Sequence, residues 1–289
     1  MANITIIGPG AIGLCVGAAL LDGGHEVNFI GRKKIDELSV FRENQIFRQY
    51  QLNHNDDTTP AEWLLICVKA HQIESAKETI LSRINSNTKI AIIQNGVGHI
   101  DNMNAIGVFH NLLEVMIDLP AKRLNPTEVV WRGPAISFVQ DNALGQEFSA
   151  LFTGSFINVE TTPDVKTKLW RKLCINAPSG AILCLTGRPM SVFHEEGIAE
   201  IARGLIREVI NVGRKEGAML GDEIIEELTT GFLNENPDST NSMFEDYKAG
   251  SPTEWQARNA VVVKLGKKHG VPTPISDLLV PFLAAQKRI

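Results

Sequence analysis

The 289-residue chain has only four cysteines and no long hydrophobic run. Cys15, Cys67, Cys174 and Cys184 show neither a CxxC pair nor the spacing of metal ligands, which argues against a disulfide framework and predicts reduced, mostly buried thiols. The longest apolar stretches are short and interrupted, and no basic region precedes the first of them. Neither a signal peptide nor a transmembrane helix is indicated, so we expect a cytoplasmic protein without a membrane partner.

Clustered histidines and an excess of positive charge are missing as well. The formal net charge of -5 argues against a nucleic-acid-binding surface. No nucleophile elbow, internal repeat or low-complexity tract occurs. We expect no bound metal, because the histidines are scattered without metal-ligand spacing: His25, His54, His71, His99, His110, His194 and His269.

Length and apolar content are sufficient for two domains, since 289 residues exceed the usual single core and 44% of the residues are hydrophobic. Strand-like runs recur in the first half, at residues 63–68, 89–93, 129–131, 135–139 and 156–159. Amphipathic helical patterns dominate later, at residues 198–216, 222–233 and 254–268. This pattern predicts an α/β protein, with a mainly parallel sheet in residues 1–162 and a helical domain in residues 163–289.

A glycine loop near the start of the chain predicts a dinucleotide cofactor. A short apolar strand is followed by Gly8-Pro9-Gly10-Ala11-Ile12-Gly13 and an apolar helix, and a second strand at residues 26–30 completes a βαβ unit. Gly8 allows the tight turn, Gly10 the close approach of phosphate, and Gly13 the packing of helix on strand. The N–H groups and dipole at the helix start attract the anion. We therefore expect a Rossmann-type doubly wound sheet.

The end of the second strand indicates which nicotinamide cofactor is used. An acid there hydrogen-bonds the ribose of NAD, whereas a cation accommodates the 2′-phosphate of NADP. The chain has Gly31-Arg32-Lys33-Lys34. Arg32 offers a planar fork for phosphate and the lysines add positive field, so NADPH is predicted. A solvated basic turn is the alternative.

Several separated motifs then occur in a family-like order. They are the glycine loop, Val68-Lys69-Ala70, Gln94-Asn95-Gly96-Val97-Gly98, Trp170-Arg171-Lys172-Leu173 with Asn176, Leu185-Thr186-Gly187-Arg188-Pro189, Asn241-Ser242-Met243 and Pro252-Thr253-Glu254. Over most of its length the chain resembles the ketopantoate reductase (2-dehydropantoate 2-reductase) family. The resemblance implies an NADP-dependent oxidoreductase of pantothenate biosynthesis that reduces 2-dehydropantoate to pantoate.

By this resemblance, Lys172 and Glu254 are the catalytic residues. Hydride arriving at a carbonyl carbon leaves negative charge on oxygen, which an ammonium can stabilise and protonate. Glu254 resembles the acidic residue near the nicotinamide end of the cofactor, where it helps to hold the lysine. The residues alone leave open that Lys172 is an exposed helical lysine and that Glu254 is an acid favoured at a helix start.

The resemblance also implies binding roles. Asn95 resembles the asparagine that contacts cofactor and substrate, and Lys69 resembles a lysine that lines the cofactor site. Asn176 and Ser242 would hydrogen-bond the carboxylate or hydroxyl groups of the substrate. As single residues they have alternatives: an Asn-Gly turn for Asn95, a surface position for Lys69, and local capping for Asn176 and Ser242.

The substrate pocket departs from the family pattern. Gly180 and Met190 stand where the family has asparagine, and Gln256 replaces an acid. Fewer polar partners favour a less polar or larger substrate, although Ser179 could compensate. Two other functions stay open: a related hydroxy acid or opine-type dehydrogenase, and a non-catalytic NADP-binding sensor. The apolar helices of the second domain would allow a homodimer.

Overall fold

The computed structural model describes residues 1–52 and 60–286, so His54 lies outside the described residues. The chain divides into two compact units. The first comprises Met1–Asn95 and His99–Val165, and the second comprises Gly96–Gly98 and Lys166–Ile289. Strands belong to the first unit and helices dominate the second.

The first unit contains strands and short helices. Its strands are β1 (Asn3–Ile7), β2 (Glu26–Ile30), β3 (Glu37–Arg42), β4 (Gln45–Gln51), β5 (Trp63–Ile66), β6 (Lys89–Ile92), β7 (Leu112–Glu114), β8 (Met116–Asp118), β9 (Ala121–Arg123), β10 (Glu128–Trp131), β11 (Ile136–Gln140) and β12 (Asn158–Thr162). Its helices are α1 (Ala11–Asp22), α2 (Ile73–Leu81), α3 (His99–Ala105) and α4 (Ala143–Ala150), and a 3₁₀ turn covers Ala70–Gln72.

A parallel sheet with the order β2-β1-β5-β6-β7 forms the centre of this unit. β1 is apolar and buried, as expected for a strand covered on both faces, and Ile4 and Ile6 are fully buried. The chain leaves β1 towards β2 on one side and returns to β5 on the other. This order confirms the predicted Rossmann-type doubly wound sheet.

Two smaller sheets, with the orders β4-β3-β10-β9 and β12-β11-β8, accompany the parallel sheet. Neither β3 nor β4 is predicted from the sequence. Their hairpin turns at Glu43 and Asn44, which both have positive φ, and no glycine marks this turn. β4 is also polar and partly exposed, so it lacks the hydrophobic alternation that indicates a strand.

The second unit is helical. Its helices are α5 (Val165–Thr186), α6 (Ile198–Lys215), α7 (Glu223–Asn234), α8 (Ser242–Lys248), α9 (Val261–His269) and α10 (Pro274–Ala285), with a 3₁₀ helix at Met190–His194. The single helix predicted over residues 254–268 is present, but it begins as a π-helical segment, Gln256–Ala260, which leads directly into α9. α5 continues through Pro178, a residue that normally ends or kinks a helix.

The cysteines are free, and Cys15, Cys174 and Cys184 are buried. Burial raises the pKa of these thiols to about 12, so they stay neutral near pH 7. Within residues 1–52 and 60–286, no helix is both long and apolar enough to cross a membrane.

Candidate functional site

The carboxyl ends of four parallel strands meet at one edge of the first unit. β1, β2, β5 and β6 run parallel, and a predicted cofactor residue lies within three residues of the end of each: Gly8 after β1, Arg32 after β2, Lys69 after β5 and Asn95 after β6. In doubly wound sheets, ligands bind outside this edge, where the strand order reverses. The structure thus brings these four loops to one edge.

The glycine loop lies at the point where the strand order reverses, between β1 and β5. Gly8 has φ +100°, and a Cβ there would lie 2.6 Å from the Val68 nitrogen. A Cβ on Gly13 would lie 2.3 Å from the Gly8 oxygen, whereas a Cβ on Gly10 would meet nothing within 4 Å. Gly8 and Gly13 therefore serve the close packing of the loop. The space beside Gly10 is open to a ligand.

The start of α1 suits an anion. Gly10 is the N-cap residue, no side-chain cap bonds to this end, and the first turn carries no acid. Pro9, Ala11 and Ile12 are half-buried beside it. The N–H groups of the first turn and the positive end of the helix dipole together favour a phosphate.

Arg32 is exposed in the turn after β2, and this turn approaches the glycine loop. A Cβ on Gly31 would lie 2.5 Å from Cγ of Pro9, so the two loops are in close contact. Arg123 of β9 is a neighbouring cation that no sequence motif indicates. Desolvation lowers the pKa of the Arg123 guanidinium, and the positive charge of Arg32 lowers it further. Positive charge is therefore concentrated beside the turn.

A buried glutamine connects the loops after β5 and β6. Gln94, which is 5% exposed, donates from Nε2 to the Val68 carbonyl at 2.6 Å. Lys69 and Asn95, the predicted site residues of these loops, are both half-buried. The Lys69 N–H donates to Oε1 of Gln72 at 3.0 Å and begins the 3₁₀ turn. Gln94 belongs to the motif Gln94-Asn95-Gly96-Val97-Gly98, but its contact with Val68 follows from the pairing of β5 with β6, which the motif does not indicate.

In the second unit, Lys172 and Asn176 lie one helical turn apart on α5 and are both half-buried. Residues four apart share a helix face, so the amine and the amide point to the same side. Close to them, the Ala177 carbonyl accepts a hydrogen bond of 2.8 Å from Nδ2 of Asn259. This contact braces α5 at the residue that immediately precedes Pro178, which cannot donate a backbone hydrogen bond.

Ser242 and Glu254 are brought together by an arginine. Nη2 of Arg258 donates to Oγ of Ser242 and to Oε2 of Glu254, at 3.0 Å in each case. Arg258 is 1% exposed and Glu254 is 6% exposed. No sequence motif indicates Arg258; its signal in the sequence is a spacing of four residues from Glu254, which suits an ion pair on one helix face.

One of the departures from the family pattern has a packing cause. A Cβ on Gly180 would lie 2.8 Å from Sδ of Met243, so the methionine of α8 fills the space that a larger residue would need. Ser179 donates to the Ile175 carbonyl at 2.7 Å and accepts from Asn241 at 3.2 Å, so its hydroxyl serves local structure. Met190 is buried and Gln256 is exposed.

The Asn-Gly motif carries a steric requirement of its own. Gly96, which belongs to the second unit, has φ +98°, and a Cβ there would lie 2.3 Å from the Ala257 oxygen. Only glycine permits this approach to the π-helical segment. Among the residues that the structure describes, no group of three or more His, Cys, Asp or Glu side chains could hold a metal ion.

Comparison with known sequences gives matches over both halves of the chain. The family described as Ketopantoate reductase PanE/ApbA matches residues 4–143, and its C-terminal part matches residues 164–287. A 2-dehydropantoate 2-reductase from Caulobacter vibrioides is 31% identical over 288 residues, which cover 99% of this chain and 99% of that protein.

Solved structures share the fold. The dimeric ketopantoate reductase from Staphylococcus aureus has a TM-score of 0.87 at 22% identity, covering 98% of this chain and 97% of that one. A D-mandelate dehydrogenase with NADH and anilino(oxo)acetate has a TM-score of 0.87 at 23% identity, covering 98% and 97%. At these identities the likeness establishes the fold.

Proposed function

Because the chain belongs to the ketopantoate reductase family, we propose that it reduces 2-dehydropantoate to pantoate with NADPH, with Lys172 as general acid. Membership makes it a nicotinamide-dependent oxidoreductase that acts on a 2-oxo acid. The observation that carries the cofactor part of the proposal is the shared edge at which the loops after β1, β2, β5 and β6 end.

The residues present at this edge fit NADPH. The pyrophosphate binds the Gly8–Gly13 loop, where the space beside Gly10 is open and no side chain caps α1. Arg32 binds the 2′-phosphate, while Lys69 and Asn95 line the remainder of the cofactor site. When bound, the cofactor supplies a hydride to the carbonyl carbon of the substrate.

The proposed substrate residues lie in the helical unit. Lys172 stabilises the developing charge on the carbonyl oxygen and delivers the proton. Asn176, on the same face of α5, and Ser242 hydrogen-bond the carboxylate and hydroxyl groups, together with Asn95. Glu254 holds the Lys172 ammonium in place.

A turnover assay tests the function directly. The wild-type protein is incubated with NADPH and either 2-dehydropantoate or other 2-oxo acids, and absorbance loss at the nicotinamide band is followed. We expect one NADPH and one proton to be consumed for each 2-hydroxy acid formed, with 2-dehydropantoate giving the highest kcat/KM. NADPH binding without turnover on any 2-oxo acid would instead support the sensor alternative.

Substitution Arg32→Ala tests the cofactor preference. It should weaken NADPH binding about 10- to 100-fold, as expected for losing hydrogen bonds to a charged phosphate, while NADH binding stays unchanged. The measurement is a fluorescence titration of both cofactors. Arg203→Ala is the control, because Arg203 pairs with Glu200 and Glu226 on the helical unit. An unchanged NADPH preference would remove Arg32 from the site.

A different 2-oxo acid is the second candidate substrate. Met243 lies beside Gly180, where the family pattern has a polar asparagine, and a D-mandelate dehydrogenase shares the fold. An aryl 2-oxo acid therefore belongs in the panel, and a higher kcat/KM for it than for 2-dehydropantoate would decide for this candidate.

We also propose that the protein is a homodimer. A dimeric ketopantoate reductase shares its fold, and α10 exposes the apolar side chains of Leu278 and Phe282.

A further inference from the structure

Arg258 is a buried charge that the proposed mechanism has not yet used. It lies in the π-helical segment Gln256–Ala260 and is 1% exposed. Nη2 is shared between Oγ of Ser242 and Oε2 of Glu254. Its Nε is buried, and no residue in the described ranges accepts a hydrogen bond from it.

Burying this charge costs more free energy than filling the same space with an apolar side chain. A guanidinium does not lose its proton in proteins, so burial leaves a permanent charge that must be compensated. Well-packed apolar residues often replace buried ion pairs without loss of stability. A side chain that served only packing would not need a charge. The contacts of this charge therefore indicate its role.

Those contacts join separate segments. Ser242 begins α8, whereas Glu254 and Arg258 precede α9 by less than two helical turns. The π-helical segment turns Arg258 and Asn259 inward together, and Asn259 binds the Ala177 carbonyl of α5. Insertions of this kind are frequent at functional sites. Arg258 thus sets the position of Ser242 relative to Glu254, while its neighbour binds the helix that carries Lys172.

We propose that Arg258 is a positioning residue of the reductase site, which fixes Glu254 and Ser242 in the orientations that the reaction needs. This inference rests on the proposed function. Arg258 neutralises part of the Glu254 charge, so the carboxylate is held by a fixed partner while it orients Lys172. It also donates to Ser242, which directs the hydroxyl hydrogen away from Arg258 and towards an acceptor on the substrate.

Two substitutions separate these effects. Arg258→Lys keeps a cation near Glu254, but its shorter side chain does not place a nitrogen where Nη2 donates to both partners. It should raise the KM for the 2-oxo acid and leave kcat close to that of the wild type. Arg258→Met loses both contacts, and it should raise KM and also lower kcat, reducing kcat/KM by up to about 100-fold, as expected for misplaced catalytic groups.

A control variant is measured in the same kinetic assay, and thermal unfolding checks that each variant is folded. Arg203→Met removes a half-buried cation of the same unit that pairs with Glu200 and Glu226, and it should leave kcat and KM unchanged. All kinetic constants refer to folded protein, which is quantified by thermal unfolding. NADPH affinity should be unchanged in both Arg258 variants.

A double-mutant cycle decides whether Arg258 acts through Ser242. The loss in kcat/KM for Arg258→Met combined with Ser242→Ala should be smaller than the product of the single losses. The inference would be overturned if the loss in kcat/KM of the double variant equalled the product of the two single losses, or if folded Arg258→Met had unchanged kinetics. Either result would leave the proposed function standing. If Arg258→Met does not fold, an unchanged KM in Arg258→Lys overturns it. A wild type that reduces no 2-oxo acid would overturn both.

Discussion

Replacing Lys172 with alanine is expected to lower kcat by about 100- to 10,000-fold, because the substitution removes the group that protonates the carbonyl oxygen. The lysine also stabilises the negative charge that develops there when hydride arrives. NADPH binding should persist, since the proposed pyrophosphate and 2′-phosphate sites lie in the other unit. The measurements are steady-state kinetics and cofactor titration.

Further variants separate the two roles of this lysine. Lys172→Arg keeps the positive charge but cannot release a proton near neutral pH, so it should retain substrate binding and remain slow. Lys166→Ala is the matched control. Lys166 lies earlier on α5, is exposed, and donates to the Glu216 carbonyl at 2.8 Å. Turnover of Lys172→Ala equal to that of Lys166→Ala would contradict the mechanism.

A buried carboxylate away from the proposed site stabilises the helical unit. Glu208 of α6 is 6% exposed and accepts three hydrogen bonds from the start of α10. The donors are the Ile275 N–H at 2.7 Å, the Ser276 N–H at 2.9 Å and the Ser276 hydroxyl at 2.6 Å. A carboxylate at this place satisfies N–H groups that have no partner inside the helix, and it complements the helix dipole.

Substitution Glu208→Ala should therefore lower the free energy of unfolding by about 3 kcal/mol, since hydrogen bonds to charged groups are strong and their donors would stay buried. Glu208→Gln should also destabilise, because its NH₂ group would face other donors. Glu200→Ala is the control, as Glu200 is exposed and its pair with Arg203 contributes little. Chemical denaturation measures all three. Equal stability of Glu208→Ala and Glu200→Ala would disprove the cap.

The cofactor half of the site was predictable from sequence because its signals are local. The glycine loop, the strand before it and the helix after it are contiguous, and each glycine has a steric reason. Gly8 and Gly13 have the crowded surroundings that these reasons require, and the space beside Gly10 is open. The turn that holds Arg32 follows β2 directly, so its place at the sheet edge followed from the βαβ unit.

The small sheets and the buried arginine were not predictable in this way. β3 and β4 lack a glycine at their turn, and the pairing of β3 with β10 joins residues far apart in the chain. In the sequence, Arg258 is a single cation within a segment that has a helical pattern. Its burial depends on the π-helical segment and on α8, neither of which leaves a periodic signal in the sequence.

By itself the sequence determined the βαβ unit, the glycine loop, the basic turn and the family, because these depend on contiguous residues and their spacing. Only the tertiary structure decided that the loops after β1, β2, β5 and β6 share one edge, since strand order is a property of long-range pairing. It also decided that Gly180 makes room for Met243 and that Arg258 joins Ser242 to Glu254. Such contacts arise from packing between separate helices, which local sequence does not encode.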